Sequence, residues 1–435
     1  MSAPTLLERL AETFPDSPAA ARLKAAILFA GVRYDACLPA AAAWAFPNYM
    51  PYTLPPGVPA FEGQRQVQLP YLLRLADDTQ VRLRIKPDSP FAVRPDDGPL
   101  GYAVYEHDRK VIDTTFEPRL PWADLLTADG TPMRATGLSQ HGDMLVMNVA
   151  PGCEYFVVPG GEGGRTRNLS CTFCLYGLPD QRMKPLGQEL FVIDVPRPTV
   201  ARVIEACKHP ETHAKQLYMV GGSMVDMAQE GDRFVRIAEQ LAEAGLTERY
   251  YVACGSGAIP RKQMEQMKAL GVRGACFNLE VWDPTQFDRI CPGKSSIVGR
   301  SRWIESLEDA VDVFGPDDVM TAFVGGAELE GEGAFTDPQQ ALDSNLEAGE
   351  TLIPKGIQPV YSLHWKVTGK NRGEEPLYTL DMFLRLNEGL AAIRRREGRL
   401  INPEFFTRRA AYMQLEPDYD EPLTRGAGTP LSSFC

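Results

Sequence analysis

Asn168-Leu169-Ser170-Cys171-Thr172-Phe173-Cys174 closes a glycine-rich run that begins at Gly152-Cys153-Glu154, and the rest of this 435-residue chain is best understood outward from it. Cys171 and Cys174 form a C-x-x-C pair. Two thiolates so spaced can turn toward one metal centre, and soft sulfur donors suit zinc or an iron–sulfur cluster. The pair alone is also compatible with two buried thiols or half a zinc site. Its position adds weight. Met144–Val149 reads as a strand just before it, and from there on the chain alternates. Helices are predicted at Thr199–Lys208, Arg233–Ala244, Arg261–Leu270, Trp303–Phe314 and Gln339–Leu352. Strands are predicted at Gln216–Val220, Tyr250–Cys254, Gly274–Val281, Val319–Val324 and Gln358–Leu363. Such alternation builds βαβ units around a parallel sheet, wound in one sense by right-handed crossovers. Six units make a partial α/β barrel. Loops at the carboxyl ends of barrel strands are where active sites sit.

Upstream, Leu6–Phe14 and Ala19–Phe29 carry apolar residues at helical spacing. A proline-rich stretch runs from Pro47 to Pro59. Strands follow at Gln66–Leu75 and Gln80–Ile85 around a turn at Asp77-Asp78, then at Tyr102–Tyr105 and Lys110–Thr114. Downstream, Tyr378–Arg395 is strongly helical, and the end from Arg399 is rich in proline and charge, as expected of a cap or lid. The fold expected is α/β. It comprises an α+β N-terminal domain (1–140), a partial (β/α)6 barrel (141–370), and a C-terminal helix and cap (371–435).

Hydrophobic residues make up 44% of the chain and charged residues 23%, a globular composition. The net charge of −12 disfavours a general nucleic-acid or anionic-membrane surface. The start, MSAPTLLERLAETFPDS, has acids where a secretion signal needs bases. The longest apolar stretch, Ala36–Phe46, is short and contains Pro39, so it cannot span a bilayer. A cytoplasmic protein is expected. Its nine cysteines are then free, metal-bound or catalytic rather than a disulfide framework. Cys207, Cys254 and Cys276 fall on a predicted helix and two predicted strands and read as core.

The cysteine segment resembles the cluster loop of radical S-adenosylmethionine (radical SAM) enzymes. Their usual pattern is C-x3-C-x2-C with an aromatic residue before the last cysteine. The resemblance covers residues 144–365 and implies a [4Fe–4S] cluster and S-adenosylmethionine as cofactors. It gives Phe173 the role of packing on the adenine. It also implies the chemistry: a reduced cluster gives one electron to S-adenosylmethionine, and the 5′-deoxyadenosyl radical then takes hydrogen from a small-molecule substrate. An electron donor such as flavodoxin or ferredoxin would be a partner.

The chain departs from the pattern at Arg167, which stands where the first cysteine belongs. Cys153 is the nearest third ligand, giving C-x17-C-x2-C. Gly160, Gly161, Gly163 and Gly164 would let the backbone fold back. Cys291, in Ile290-Cys291-Pro292-Gly293-Lys294, is the second candidate. Further residues follow from the resemblance. Gly221-Gly222-Ser223 ends the second barrel strand, where the family often holds the methionine amino group, although Ser223 replaces the usual acid. Ser256 is placed for the ribose, against an equal reading as a turn serine. Asn278 and Glu280 share one side of the fourth strand, and Glu280 is a cofactor contact or a structural ion pair. Arg302, then Arg300, with Lys294 near by, are the cations for the methionine carboxylate. His364 ends the sixth strand and could meet substrate.

Two other readings remain open. One is a metal-binding or degenerate barrel, holding zinc or iron–sulfur without radical chemistry. The other is a metal-free barrel hydrolase or lyase, for which no acid–base constellation is evident.

Overall fold

The computed structural model describes residues 4–420 apart from 42–48, 55–59, 61, 118–119, 121, 151, 161–164, 175–196, 211, 213 and 369–370. Helices α1 (Leu6–Thr13) and α2 (Ala19–Ala30) open the chain. Thr5 caps α1 through a box with Glu8, which satisfies free amides at the helix start. A short α3 (Cys37–Ala41) follows. Strands β1 (Tyr49–Thr53) and β2 (Gln66–Pro70) pair with each other. Strands β3 (Leu72–Leu75), β4 (Gln80–Arg82), β5 (Phe91–Pro95), β6 (Tyr102–Glu106) and β7 (Arg109–Phe116) form an antiparallel sheet ordered β4-β3-β7-β6-β5. The sequence reading ran β2 and β3 together and passed over β1 and β5. Both missed strands contain proline, which lowers strand propensity.

The second sheet has seven strands, ordered β14-β13-β12-β11-β10-β9-β8. Strands β9 (Met144–Ala150), β10 (Gln216–Gly221), β11 (Tyr251–Gly255), β12 (Gly274–Cys276), β13 (Val319–Gly325) and β14 (Ile357–Leu363) are parallel. Strand β8 (Leu138–His141) adds an antiparallel edge. The helices α4 (Arg197–Lys208), α5 (Met227–Glu243), α6 (Leu246–Arg249), α7 (Arg261–Ala269), α8 (Pro284–Ile290), α9 (Arg300–Phe314) and α10 (Pro338–Leu352) cross between these strands. The architecture is the expected α/β partial barrel of six parallel strands. A hairpin, β15 (Trp365–Thr368) with β16 (Asn371–Pro376), precedes α11 (Leu380–Glu397) and α12 (Glu416–Asp420).

Alternation along the strands divides the core. Leu145, Met147, Leu217, Met219, Val252, Cys254, Ala275 and Phe323 face the helices. Met144, Tyr218, Tyr251, Ala253, Cys276, Met320 and Val360 face the concave side, where Ile401, Phe405, Phe406, Ala410 and Ala411 pack on them. Phe405 stacks on Tyr251 at 5.2 Å. Gln216 donates to the Glu404 carbonyl at 3.1 Å. Asn402 and Tyr251 both donate to Asp318, each at 2.5 Å. These contacts lie at the amino ends of the strands. The tail residues 401–411 therefore plug the end opposite the cysteine loop and do not form a lid over it. The expected cap beyond 420 lies outside the described residues. Beyond the plug, Gln414 donates to Ser362 at 2.8 Å and Glu416 accepts from the Tyr361 amide at 2.6 Å. The Glu416 bond takes up one backbone amide of the edge strand β14.

Glu416 is fully buried, and burial raises its pKa from 4.5 to about 7, against the pull of Arg394 and the Tyr361 amide. Between those two pH values the folded chain keeps a proton that the unfolded chain has released. Stability therefore falls as pH rises through that window. Glu416→Gln keeps an acceptor and removes the titration. We expect a flatter stability profile from pH 4.5 to 7 and a higher urea midpoint above it. An unchanged profile would show that Glu416 is not the group responsible. No helix among the described residues is long and apolar enough to cross a membrane.

Candidate cluster site at the carboxyl end of the barrel

The chain leaves β9 at Ala150 and doubles back on itself. Val158 and Arg167 exchange both backbone hydrogen bonds, at 3.0 and 2.8 Å, and the Leu169 amide donates to the Tyr155 carbonyl at 2.6 Å. Gly160 takes φ +95°, a conformation open to glycine. Gly161, Gly163 and Gly164 lie outside the described residues. The fold-back shortens a seventeen-residue gap, so that Cys153 comes within electrostatic reach of Cys171. Burial, foremost, raises the Cys153 thiol to about 11. Cys174 follows in a tight turn, its amide donating to the Cys171 carbonyl at 3.0 Å. Arg167 is exposed and takes part in the fold-back through its backbone.

A second loop holds this one in place. The Thr172 amide donates to the Ile290 carbonyl at 2.9 Å, and the Gly293 amide to the Leu169 carbonyl at 2.8 Å. Between these bonds Cys171 and Cys291 come near each other, and the Cys291 thiol is the leading cause that lowers the Cys171 pKa. Next in the chain, Lys294 donates to Glu280 at 2.9 Å and to the Asn278 carbonyl, and lies 4.5 Å over the Trp303 ring. The Lys294 and Glu280 side chains are 8% and 13% exposed, so this ion pair is shielded from water. Burial opposes the lysine charge, but Glu280 and the two thiols outweigh it and raise the pKa. Strand β12 stops at Cys276, and Glu280 has φ +73°. The expected strand through Val281 is therefore cut short. Hydrogen bonds from the Glu280 amide to Ala322 and from the Val324 amide to Glu280, both 2.9 Å, hold this sparsely populated conformation.

The loop after β10 is fixed by two carboxylates that sequence reading passed over. Glu154 donates its amide to the Ser223 carbonyl at 2.9 Å and accepts from the Val225 amide at 2.6 Å. Glu230, in the first turn of α5, accepts from the amides of Met224 at 2.9 Å and Gly257 at 2.6 Å. Arg233 lies 3.9 Å from Glu230 and donates to the Gly222 carbonyl at 3.0 Å. The one available clue was an acid four residues beyond the Asp226 cap, on the apolar face of α5. Gly222 has a steric reason to be glycine. A Cβ there would lie 2.1 Å from the Gly152 carbonyl and 2.7 Å from the Cys153 Cα. Gly222→Ala must displace the backbone that carries Cys153, and we expect at least a severalfold loss of iron retained after reconstitution. Parent-like iron content would show that this contact is not needed.

The remaining residues divide. Ser256 is buried, and its hydroxyl donates to the Gly257 carbonyl at 3.0 Å, as a turn serine does. Gly221 packs against Ala150. Phe173 meets His364 edge to face at 6.3 Å, joining the first loop to the end of the sixth strand, and His364 hydrogen-bonds Glu330 at 2.7 Å. Arg302 is not brought to the site. It lies on the exposed face of α9 with Glu305 and Asp309, at 3.3 and 3.6 Å. Its place one turn into the helix points it away. Arg300 stacks on Trp282 at 4.2 Å and donates to its carbonyl at 2.9 Å. Lys294 is the cation placed inside. Among the described residues, no three His, Cys, Asp or Glu side chains are gathered as chelators of a metal ion. The donor chemistry at the loop is three thiols, Cys153, Cys171 and Cys174, and an all-sulfur set fits an iron–sulfur cluster.

Comparison with known proteins gives a curated relative and several solved structures to which the chain is similar. The chain is 25% identical over 303 residues to the bacteriochlorophyllide c C-7(1)-hydroxylase of Chlorobaculum limnaeum, covering 66% of this chain and 68% of that one. Among solved structures it is similar to methylornithine synthase, with a TM-score of 0.38 and 13% identity over 64% of this chain and 78% of that one. It is also similar to a radical SAM methyltransferase from Sphaerobacter thermophilus, with a TM-score of 0.40 and 14% identity over 73% and 77%. No family model matches the chain.

Proposed function

We propose that the protein holds a [4Fe–4S] cluster through Cys153, Cys171 and Cys174, and uses S-adenosylmethionine to remove hydrogen from a C–H bond of a small-molecule substrate. The observation that carries this is the fold-back of residues 153–171, which offsets the missing cysteine at Arg167. The cluster, when bound, supplies the electron that splits S-adenosylmethionine into methionine and the hydrogen-abstracting radical. The protein contributes orientation and exclusion of water. Gly221 and Gly222 allow close backbone approach beside Cys153. Lys294 keeps a buried positive charge near the thiols, and Glu280 holds it in place. Phe173 and His364 shape the side of the site between the first loop and the sixth strand. The name of the curated relative, a bacteriochlorophyllide c C-7(1)-hydroxylase, supports C–H functionalisation as the reaction type. A small substrate and an electron donor such as flavodoxin or ferredoxin complete the reading. The test is anaerobic reconstitution, reduction with dithionite and incubation with S-adenosylmethionine. Formation of 5′-deoxyadenosine and methionine is expected. A protein that takes up zinc alone, or iron without any cleavage, would instead be a degenerate barrel.

A further inference from the structure

The fold-back that carries the chain from Cys153 to Cys171 also has an outer face. Val158 is buried with Cys153 and Tyr155, and it exchanges both backbone bonds with Arg167. Its neighbour Val157 is 40% exposed, an apolar side chain in water beside the cysteine loop. Arg165 and Arg167 are exposed as well, and neither side chain has a hydrogen-bond or ion-pair partner among the described residues. By contrast, the exposed Arg261, Arg302, Arg385 and Arg396 each face a carboxylate. Glu154, the acid at the base of the fold-back, is turned to the Val225 amide. Residues 157–168 hold two arginines and one acid, Glu162, so this stretch is net positive on a chain of net charge −12. Val157 and Arg167 each stand four residues from a proposed ligand, Cys153 and Cys171. Four residues of chain span at most about 14 Å. Whatever sits on this face is therefore close to the proposed cluster.

We propose that Val157, Arg165 and Arg167 form the docking face for an acidic one-electron carrier protein. The inference rests on the proposed function, which needs an electron from outside the chain. The overall charge repels an acidic carrier, and the two arginines offset that repulsion where contact is made. Val157 adds an apolar contact inside the charged rim. The carrier is oxidised by one electron and the cluster is reduced by one. No bond forms or breaks, and no proton moves through these side chains.

The experiment mixes reduced flavodoxin, an acidic carrier, with the full-length reconstituted protein in anaerobic stopped flow, and calorimetry gives the affinity of the complex in parallel. Both are run at about 10 mM and about 1 M salt, where screening lengths are about 30 and 3 Å. Arg165→Glu/Arg167→Glu is compared with the parent and with Arg165→Lys/Arg167→Lys. A third variant, Lys262→Glu/Arg395→Glu, makes the same charge change on exposed residues of α7 and α11. The bimolecular rate constant of Arg165→Glu/Arg167→Glu should fall about tenfold at low salt and approach the parent at high salt. The lysine variant should stay near the parent, and the remote pair should lose much less. Iron content and full reduction by excess dithionite should match the parent, because these side chains make no bond within the fold-back. Unchanged rate and affinity in Arg165→Glu/Arg167→Glu would overturn the proposal. So would an equal loss in the remote pair, loss of iron in the variant, or a parent that dithionite reduces and flavodoxin does not. A parent that takes up no iron at all would sink the proposed function itself, an outcome distinct from these.

Discussion

Cys171→Ala and Cys174→Ala are each expected to drop the iron retained after anaerobic reconstitution from roughly four atoms per chain to background. Removing one thiolate opens a corner of the cluster, and the turn supplies no replacement. Cys171 is buried beside Cys291, and Cys174 is tied to it by one backbone bond. Neither substitution removes a large apolar group, so the fold should survive, and circular dichroism should show parent-like helix content. Cys153→Ala should behave the same way. Its thiol lies against Tyr155 and Val158 in a small separate cluster, and its loss leaves the barrel core intact. Full iron retention in Cys153→Ala would remove it from the ligand set and return Cys291 to candidacy.

The second large effect is on stability. Lys294→Ala should cost about 3–5 kcal/mol, the scale for breaking a buried ion pair by removing one partner. The pair is 2.9 Å long and almost closed to solvent. Glu280 would be left as a buried carboxylate on a strained backbone, and Trp303 would lose the cation over its ring. A urea melt reads the loss directly. Adding Glu280→Gln to Lys294→Ala removes the stranded charge, so the double variant should recover part of the stability. If the two losses simply add, the residues are not coupled in the folded protein.

Much of the barrel was legible because its strands and helices carry clean periods of 2 and 3.6 residues. The six parallel strands fall where alternation put them, and α5 and α9 each begin a few residues early. At α5 the start is set by the Asp226 cap, a signal present in the sequence. The fourth strand was overread because Cys276-Phe277-Asn278-Leu279-Glu280 alternates well, while the positive φ at Glu280 is imposed by bonds to β13. The C-x-x-C turn is local and could be seen. The approach of Cys171 to Cys291 could not, because it depends on how two loops distant in sequence meet. The same holds for Glu154 and Glu230, whose roles are to bind backbone amides of other loops. Arg302 lies on the exposed face of α9 with Glu305 and Asp309, a placement that charge and spacing do not reveal.

The most direct test is the electron paramagnetic resonance spectrum of the reconstituted, dithionite-reduced protein, taken before and after adding S-adenosylmethionine. Three protein thiolates would leave one iron of the cluster free to accept the cofactor. A [4Fe–4S]+ signal that changes shape on addition is the predicted result. An unchanged signal, or no iron–sulfur signal in the parent, would contradict the account.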